Sequence, residues 1–220
     1  KKYSGKLPYA CSSHQTVVYQ QSVIHIGGYN YDENKRSNLI SELQFTSSCA
    51  MKELCQMPEP RIFHAAEVVE DKVLILGGLN SDDEKMDSVF EFDPTTNKCK
   101  EMPKLPFASR RMATVRWRDE LVVLGGEDED GHVRDDVFMY NSKTGKTTVL
   151  PSMLEKRSDC SAVITGNTIV VMGGWSDKYK ILSSVECFTI GNSTWECLPA
   201  MSEVRSLAVA EVLPFRRKYV

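Results

Sequence analysis

Histidine and cysteine are the residues of this 220-residue sequence with the widest chemical range. The four histidines, His14, His25, His64 and His132, could serve as general bases or metal ligands, but none lies near a serine or cysteine in a nucleophile motif. The seven cysteines are an odd number and contain no Cys-x-x-Cys pair. We therefore predict no catalytic residue, no metal site, no cofactor and seven free thiols.

Carboxylates form the other chemical clusters, at Asp82-Asp83-Glu84, at Glu127-Asp128-Glu129-Asp130 and at Asp135-Asp136. Carboxylate oxygens are the ligands that Ca²⁺ prefers. The comparable segment further along, Trp175-Ser176-Asp177-Lys178-Tyr179, is not acidic. The clusters therefore indicate solvated loops rather than a set of calcium sites.

The composition is that of an ordinary globular protein, with 41% hydrophobic and 26% charged residues and a net charge of −3. This balance gives no electrostatic reason to bind a polyanion, and apolar runs such as Val73-Leu74-Ile75-Leu76 are too short to cross a bilayer. We expect neither a nucleic-acid nor a membrane partner. No apolar stretch follows Lys1-Lys2-Tyr3-Ser4, so we expect a cytoplasmic protein with reduced thiols, with a cytoskeletal or nuclear location as the alternatives.

An internal repeat sets the organisation of the chain. A glycine pair follows an apolar run four times, at Gly27-Gly28, Gly77-Gly78, Gly125-Gly126 and Gly173-Gly174, with spacings of 50, 48 and 48 residues. Arginines recur in the same phase at Arg61, Arg157 and Arg205. The repeats cover about residues 7–56, 57–104, 105–152 and 153–200.

Each repeat contains short apolar runs bounded by turn residues, which predicts four antiparallel strands, a to d, and no helix longer than two turns. In the second repeat we expect strand a near His64 to Val69 and strand b near Lys72 to Gly78. Strand c is expected near Ser88 to Phe92 and strand d near Lys98 to Met102. One small sheet per repeat is one blade, so the fold class is all-β.

With about 50 residues per unit and a Gly-Gly signature, the sequence resembles the Kelch-repeat β-propeller, most closely that of BTB-Kelch proteins. The resemblance implies a structural role for the glycine pairs, for Trp195 near the end of the last repeat, and for Arg61, Arg157 and Arg205. WD repeats fit less well, because they are shorter and need a Trp-Asp pair that is absent.

The two ends read as partial blades, residues 1–6 as a strand d and residues 201–220 as a fifth strand a followed by part of a strand b. Kelch propellers usually close with six blades. We therefore expect this chain to be part of a longer protein.

Loops b–c and d–a emerge on one face of a propeller, and in Kelch proteins that face captures a peptide segment or surface of a partner protein. Tyr, Trp and Arg are common binding hot spots. Because one repeat combines an arginine pair with an acidic loop, we expect a mixed or partly basic ligand. The candidate partner-binding residues are Tyr29, Asn30, Tyr31, Phe63, Asn80, Arg110, Arg111, Glu127, Asp128, Ser158, Asp159, Trp175, Ser176 and Tyr179.

Two functions follow from the resemblance, and we expect neither to be enzymatic. The first is the substrate-recognition domain of a BTB-Kelch adaptor for a cullin-RING ubiquitin ligase, with the ligase contacted only through domains that this chain does not contain. The alternative is an actin-binding or scaffold Kelch protein without ubiquitin transfer. The residues of this chain do not discriminate between the two.

Overall fold

The computed structural model describes residues 7–45, 49–177 and 180–213. Within these ranges the regular structure is β-strand, and no α-helix is formed, as the repeat pattern predicted. No helix in this part of the chain could cross a membrane.

The strands follow one another in a regular order, and short strands in the connecting loops accompany the long ones. In chain order they are β1 (Cys11–Ser12), β2 (Gln15–Tyr19), β3 (Ser22–Ile26), β4 (Tyr29–Asn30), β5 (Lys35–Arg36), β6 (Leu39–Phe45), β7 (Cys49–Gln56), β8 (Ala65–Val69), β9 (Lys72–Leu76), β10 (Val89–Asp93), β11 (Lys98–Met102), β12 (Ala113–Trp117), β13 (Glu120–Leu124), β14 (Val137–Asn141), β15 (Thr147–Leu150), β16 (Ser161–Thr165), β17 (Thr168–Met172), β18 (Trp175–Ser176), β19 (Lys180–Ile181), β20 (Val185–Thr189) and β21 (Glu196–Leu198).

Four antiparallel sheets of four strands are the blades. Blade 1 has the order β2-β3-β6-β7, blade 2 β8-β9-β10-β11, blade 3 β12-β13-β14-β15 and blade 4 β16-β17-β20-β21. The first strands of neighbouring blades, β2 with β8, β8 with β12 and β12 with β16, contact each other and form the inner wall. The predicted all-β arrangement of four-stranded blades is confirmed.

The core lies between the blades and follows from the two-residue period of a strand. On β9, Val73 and Ile75 pack against blade 1, whereas Leu74 and Leu76 pack against blade 3. A third apolar layer joins blades 3 and 4, where Trp195 stacks on Phe188 with ring centroids 5.2 Å apart. The near-continuous apolar sequence of each strand b is thus explained, because both of its faces are buried.

The recurrent arginines occupy the turn before strand a. The Arg61 side chain is fully buried, and its Nη1 donates to the Gly77 carbonyl at 3.0 Å while its Nη2 donates to Ser88 Oγ at 3.0 Å. Arg157 repeats this arrangement in blade 4. Arg205 differs from the prediction, because its side chain is 56% exposed and pairs with Glu203 in its own turn.

The last described residues also differ from the prediction. Residues 199–213 form turns and no strand, although a fifth strand a was expected from Arg205 to Val212. A strand needs a hydrogen-bonded neighbour, and the segment expected to supply it, 214–220, lies outside the described residues, as does the partial blade at 1–6.

His64 gives the fold a pH dependence. Burial lowers its pKa to about 3, helped by the charges of Arg61, His14 and His25, whereas the exposed group has a value of 6.5. Below about pH 6.5, His64 is therefore protonated in the unfolded state but stays neutral in the folded state. The free energy of unfolding falls as the pH is lowered through this range. Each pH unit changes the free energy of unfolding by about 1.4 kcal/mol, so we expect His64 to lower it by about 2 kcal/mol by pH 5.

Urea unfolding at neutral pH and at pH 5 measures this effect. The pH dependence should shrink in His64→Gln, because the amide side chain does not titrate. Equal pH dependence in wild type and His64→Gln would contradict this account.

Candidate interaction face

The antiparallel blades place their connections at two ends. The b–c and d–a loops emerge at one end, which we call the recognition face. The a–b and c–d turns emerge at the other. Lys143, in the c–d turn of blade 3, lies 2.9 Å from Glu70 and 3.4 Å from Asp119, which both belong to a–b turns. Lys143 is therefore a marker of the opposite face.

Five residues with strained backbone form a partial ring along the inner edge of the recognition face. Ser13, Phe63, Arg111, Asp159 and Leu207 have φ values of 55°, 55°, 58°, 50° and 55°. Each of the last four donates its N–H to the carbonyl of the preceding member, at 2.9 to 3.1 Å. Left-handed backbone at non-glycine residues costs about 1–3 kcal/mol each and is concentrated at functional sites. The ring holds three of the predicted binding residues at equivalent positions.

Arg111 is the centre of a side-chain network that joins three blades. Its guanidinium lies 4.3 Å from the centroid of the Phe63 ring, and its Nη1 donates to Asp159 Oδ2 at 2.9 Å. The same carboxylate oxygen accepts from Trp175 Nε1 at 2.9 Å. Phe63, Arg111, Asp159 and Trp175 thus fix one another's orientation.

Arg110 and Glu127 extend this network within blade 3. Arg110 Nη2 lies 2.8 Å from Glu127 Oε2, and Ser158 Oγ donates to Glu127 Oε1 at 3.2 Å. Glu127 and Ser158 are buried, whereas each of the two arginine side chains keeps 23% of its surface exposed. The arginines can therefore present an edge to a ligand while their carboxylate partners hold them in place.

A cavity of about 770 Å³ opens between blades 3 and 4 over this network. Burial raises the pKa of Asp159, against the opposing effects of the Trp175 indole and Arg111. Lys156 lies 3.5 Å from one of the lining carboxylates, that of Asp177. The charged groups that line the cavity are Arg110, Arg111, Glu127, Asp130, Asp159 and Asp177.

Blade 1 contributes an aromatic pair to the same face. Tyr29 and Tyr31 meet edge to face with centroids 5.0 Å apart, and the Tyr31 hydroxyl lies 3.1 Å from Ser12 Oγ. Tyr31 is 57% exposed. Its ring is an accessible apolar surface on the recognition face.

Three of the predicted polar residues stabilise their own b–c loops through hydrogen bonds to the loop backbone. Asn30 Oδ1 accepts from the backbone N–H of Asp32 and Glu33, and Asn80 and Asp128 accept similar bonds in blades 2 and 3. Ser176 lies at the rim with its hydroxyl directed to Asp177 O. Tyr179 lies outside the described residues. The positions following the glycine pairs therefore shape the face as well as line it.

Sequence reasoning missed the links between neighbouring b–c loops. Arg36 of blade 1 bonds to Asn80 O and to Asp83 in blade 2. Lys85 of blade 2 donates to Glu129 O of blade 3 at 3.1 Å. The sequence signal for these links was a basic residue late in the b–c loop of one blade, Arg36 or Lys85, together with an acidic cluster in the b–c loop of the next blade.

Two groups of side chains that could hold a metal ion come together in the structure, although the sequence predicted no metal site. Ligand atoms of Cys11, His14 and His25 all lie within 4.8 Å of one another, because the hairpin of β2 and β3 brings His25 beside the start of β2. Asp128, Asp130 and His132 form a second such group in the b–c loop of blade 3. The spacing Cys11-x-x-His14 was the available signal for the first group.

Comparison with known proteins gives the family. Residues 1–144 match the model described as the KLHDC2/KLHL20/DRC7 Kelch-repeats domain, and residues 156–202 match the model of the Kelch motif. No curated protein matches the chain. Similar solved structures include one described as the structure of YjhT, with a TM-score of 0.80 and 15% identity over 91% of this chain and 74% of that chain.

That likeness shows the fold, and Kelch repeats indicate a protein-interaction domain. With one family model covering more than half of its length and four blades carrying the glycine pairs in register, the chain belongs to the Kelch-repeat family of β-propellers.

Proposed function

We propose that the recognition face binds a peptide segment of a partner protein in the cavity between blades 3 and 4. The observation that carries the proposal is the Arg111 network, in which the Arg111 guanidinium and the Trp175 indole line the cavity while Phe63 and Asp159 hold them in place. Rigid aromatic and arginine side chains lose little entropy on binding, so they are effective hot spots. The function is recognition rather than catalysis.

The charge of the cavity selects the ligand. Four carboxylates face two arginines in the lining, and Lys156 offsets one of the four from outside it. Among the described residues around the cavity, an excess of negative charge therefore remains. We infer that the bound segment carries a lysine or arginine for the Asp130 carboxylate, with Asp177, already offset by Lys156, as the weaker partner. Next to it lies an apolar or aromatic residue for Trp175.

Replacement of Trp175 by alanine, or of Arg110 and Arg111 together, should weaken peptide binding by about 1–2 kcal/mol, because either change removes a contact surface at the centre of the cavity. A suitable probe is a peptide selected from a random displayed library on the wild-type chain, with affinities measured by calorimetry. An equal loss in Lys143→Ala, on the opposite face, would contradict this assignment.

The double change Asp130→Asn and Asp177→Asn tests the charge preference with minimal effect on the fold, since both residues are at the rim. A lysine-containing probe should bind at least about five-fold more weakly, and its affinity should become less sensitive to salt. Asp119→Asn on the opposite face is the matched control. Stronger binding of the basic probe by the double variant would refute the charge argument.

At the level of the cell, the proposal is that this domain selects substrates for a cullin-RING ligase as part of a BTB-Kelch adaptor. The support is the resemblance of the repeats to that class, together with the match of residues 1–144 to the KLHDC2/KLHL20/DRC7 Kelch-repeats domain. The alternative is an actin-binding or scaffold role. Sedimentation of the chain with filamentous actin tests the actin-binding alternative, because the adaptor role predicts that the chain stays in the supernatant.

A further inference from the structure

Blade 1 and the loop before it hold a set of soft and borderline ligands that the recognition face does not use. Cys11 lies in β1, His14 directly precedes β2, and His25 is the fourth residue of β3. Their ligand atoms are mutually within 4.8 Å, and Cys11 Sγ lies 3.7 Å from His25 Nε2. The two imidazole rings stack with centroids 4.4 Å apart.

These groups lack the partners that buried polar atoms normally have. His25 is 1% exposed, and its Nδ1 has no hydrogen-bond partner among the described residues. His14 Nδ1 and the Tyr9 hydroxyl are also buried without a partner there. Tyr9 lies beside His25, with ring centroids 6.4 Å apart. Unsatisfied buried polar atoms in one place call for an explanation, and a ligand bound at His14 Nδ1 would satisfy one of them.

The contact between Cys11 Sγ and His25 Nε2 is a thiol–imidazole hydrogen bond, and its length is also close to the separation of two donor atoms on one metal ion. A tetrahedral zinc with a sulfur ligand at about 2.3 Å and a nitrogen ligand at about 2.0 Å places the two donors about 3.5 Å apart. The observed distance between Cys11 Sγ and His25 Nε2 is 3.7 Å. One thiolate and two imidazoles form a donor set suited to Zn²⁺.

We propose that Cys11, His14 and His25 bind one Zn²⁺ ion, with the fourth coordination position open toward the half-buried side of Cys11 and His14. The thiol proton of Cys11 passes to solvent when its thiolate coordinates the ion. Three ligands from β1, the start of β2 and β3 would clamp the first described segment onto blade 1. Because Ser12 contacts Tyr31, the clamp would also fix the blade 1 side of the recognition face.

Zinc titration against a competing fluorescent indicator tests the site in the whole chain. We expect one Zn²⁺ per chain in the wild type and at least ten-fold weaker binding in Cys11→Ser and in His14→Ala. Cys197→Ser is the matched control, because Cys197 is an exposed thiol elsewhere in the protein. Since His25 is buried and its replacement could unfold the protein, the two less buried ligands carry the test.

Cobalt provides a second readout, because a thiolate ligand gives Co²⁺ a near-ultraviolet charge-transfer band that nitrogen and oxygen ligands do not give. We expect this band in the wild type and in Cys197→Ser, and its absence in Cys11→Ser. The proposal is overturned if the wild type binds no stoichiometric zinc or if Cys11→Ser binds it equally well. It is also overturned if His132→Ala alone abolishes binding, which would move the ion to the acidic loop of blade 3.

Discussion

Replacing Gly125 by valine is expected to prevent the chain from folding. A Cβ atom at this position would lie 2.2 Å from the Arg157 carbonyl oxygen, and the φ of Gly125 is 58°. Left-handed backbone alone costs a side chain about 1–3 kcal/mol. The clash is with backbone of the next blade, so it cannot be relieved by turning a side chain. Together these costs approach the total stability of a typical domain, about 5–15 kcal/mol.

Gly166→Val separates the two causes. Gly166 has a φ of 60°, but nothing lies within 4 Å of its Cβ position. This variant should remain folded with a lowered melting temperature, whereas Gly125→Val should aggregate or unfold. If the two variants melt at similar temperatures, backbone strain alone explains the glycines and the close contact between blades has no role.

The second large effect is expected from Arg157→Met. Arg157 and Glu186 are both buried, and Arg157 Nη2 lies 2.6 Å from Glu186 Oε1. Without the guanidinium, the donors that remain to Glu186 within the described part of the chain are the backbone N–H groups of Leu154 and Glu155, at 2.7 and 3.0 Å. An uncompensated buried charge costs about 3–5 kcal/mol, and chemical denaturation measures this loss.

Arg205→Met is the matched control, because Arg205 has the same place in the repeat but an exposed side chain. We expect it to change stability by less than about 0.5 kcal/mol. Adding Glu186→Gln to Arg157→Met should restore part of the loss, since it removes the unpaired charge. No recovery in the double variant would show that packing, rather than charge, governs this position.

Much of the fold could be predicted from the sequence, because a propeller repeats one local pattern. The glycine pairs and the short strands recur from one repeat to the next, so each occurrence supports the others. The same holds for Arg61 and Arg157, which are each buried against a glycine carbonyl and a serine. Arg205 shares the spacing but not the environment. A repeat therefore predicts backbone position better than it predicts what surrounds a side chain.

The recognition face could be predicted only in outline. Phase placed Phe63, Arg111 and Asp159 at equivalent positions, but their contacts depend on the approach of three separate blades. The φ of Arg111 could not be predicted either, since the hydrogen-bonded ring imposes it. Cys11 and His25 are 14 residues apart, and only the register of β3 brings them together.

The most direct test of the account is where on the molecule a peptide binds. A peptide selected on the wild-type chain should be cross-linked, through a photoreactive group beside its basic residue, to the cavity between blades 3 and 4, and mass spectrometry locates the attachment. The account predicts attachment within the b–c and d–a loops around Arg111 and Trp175. Attachment to the turns around Lys143 would contradict it.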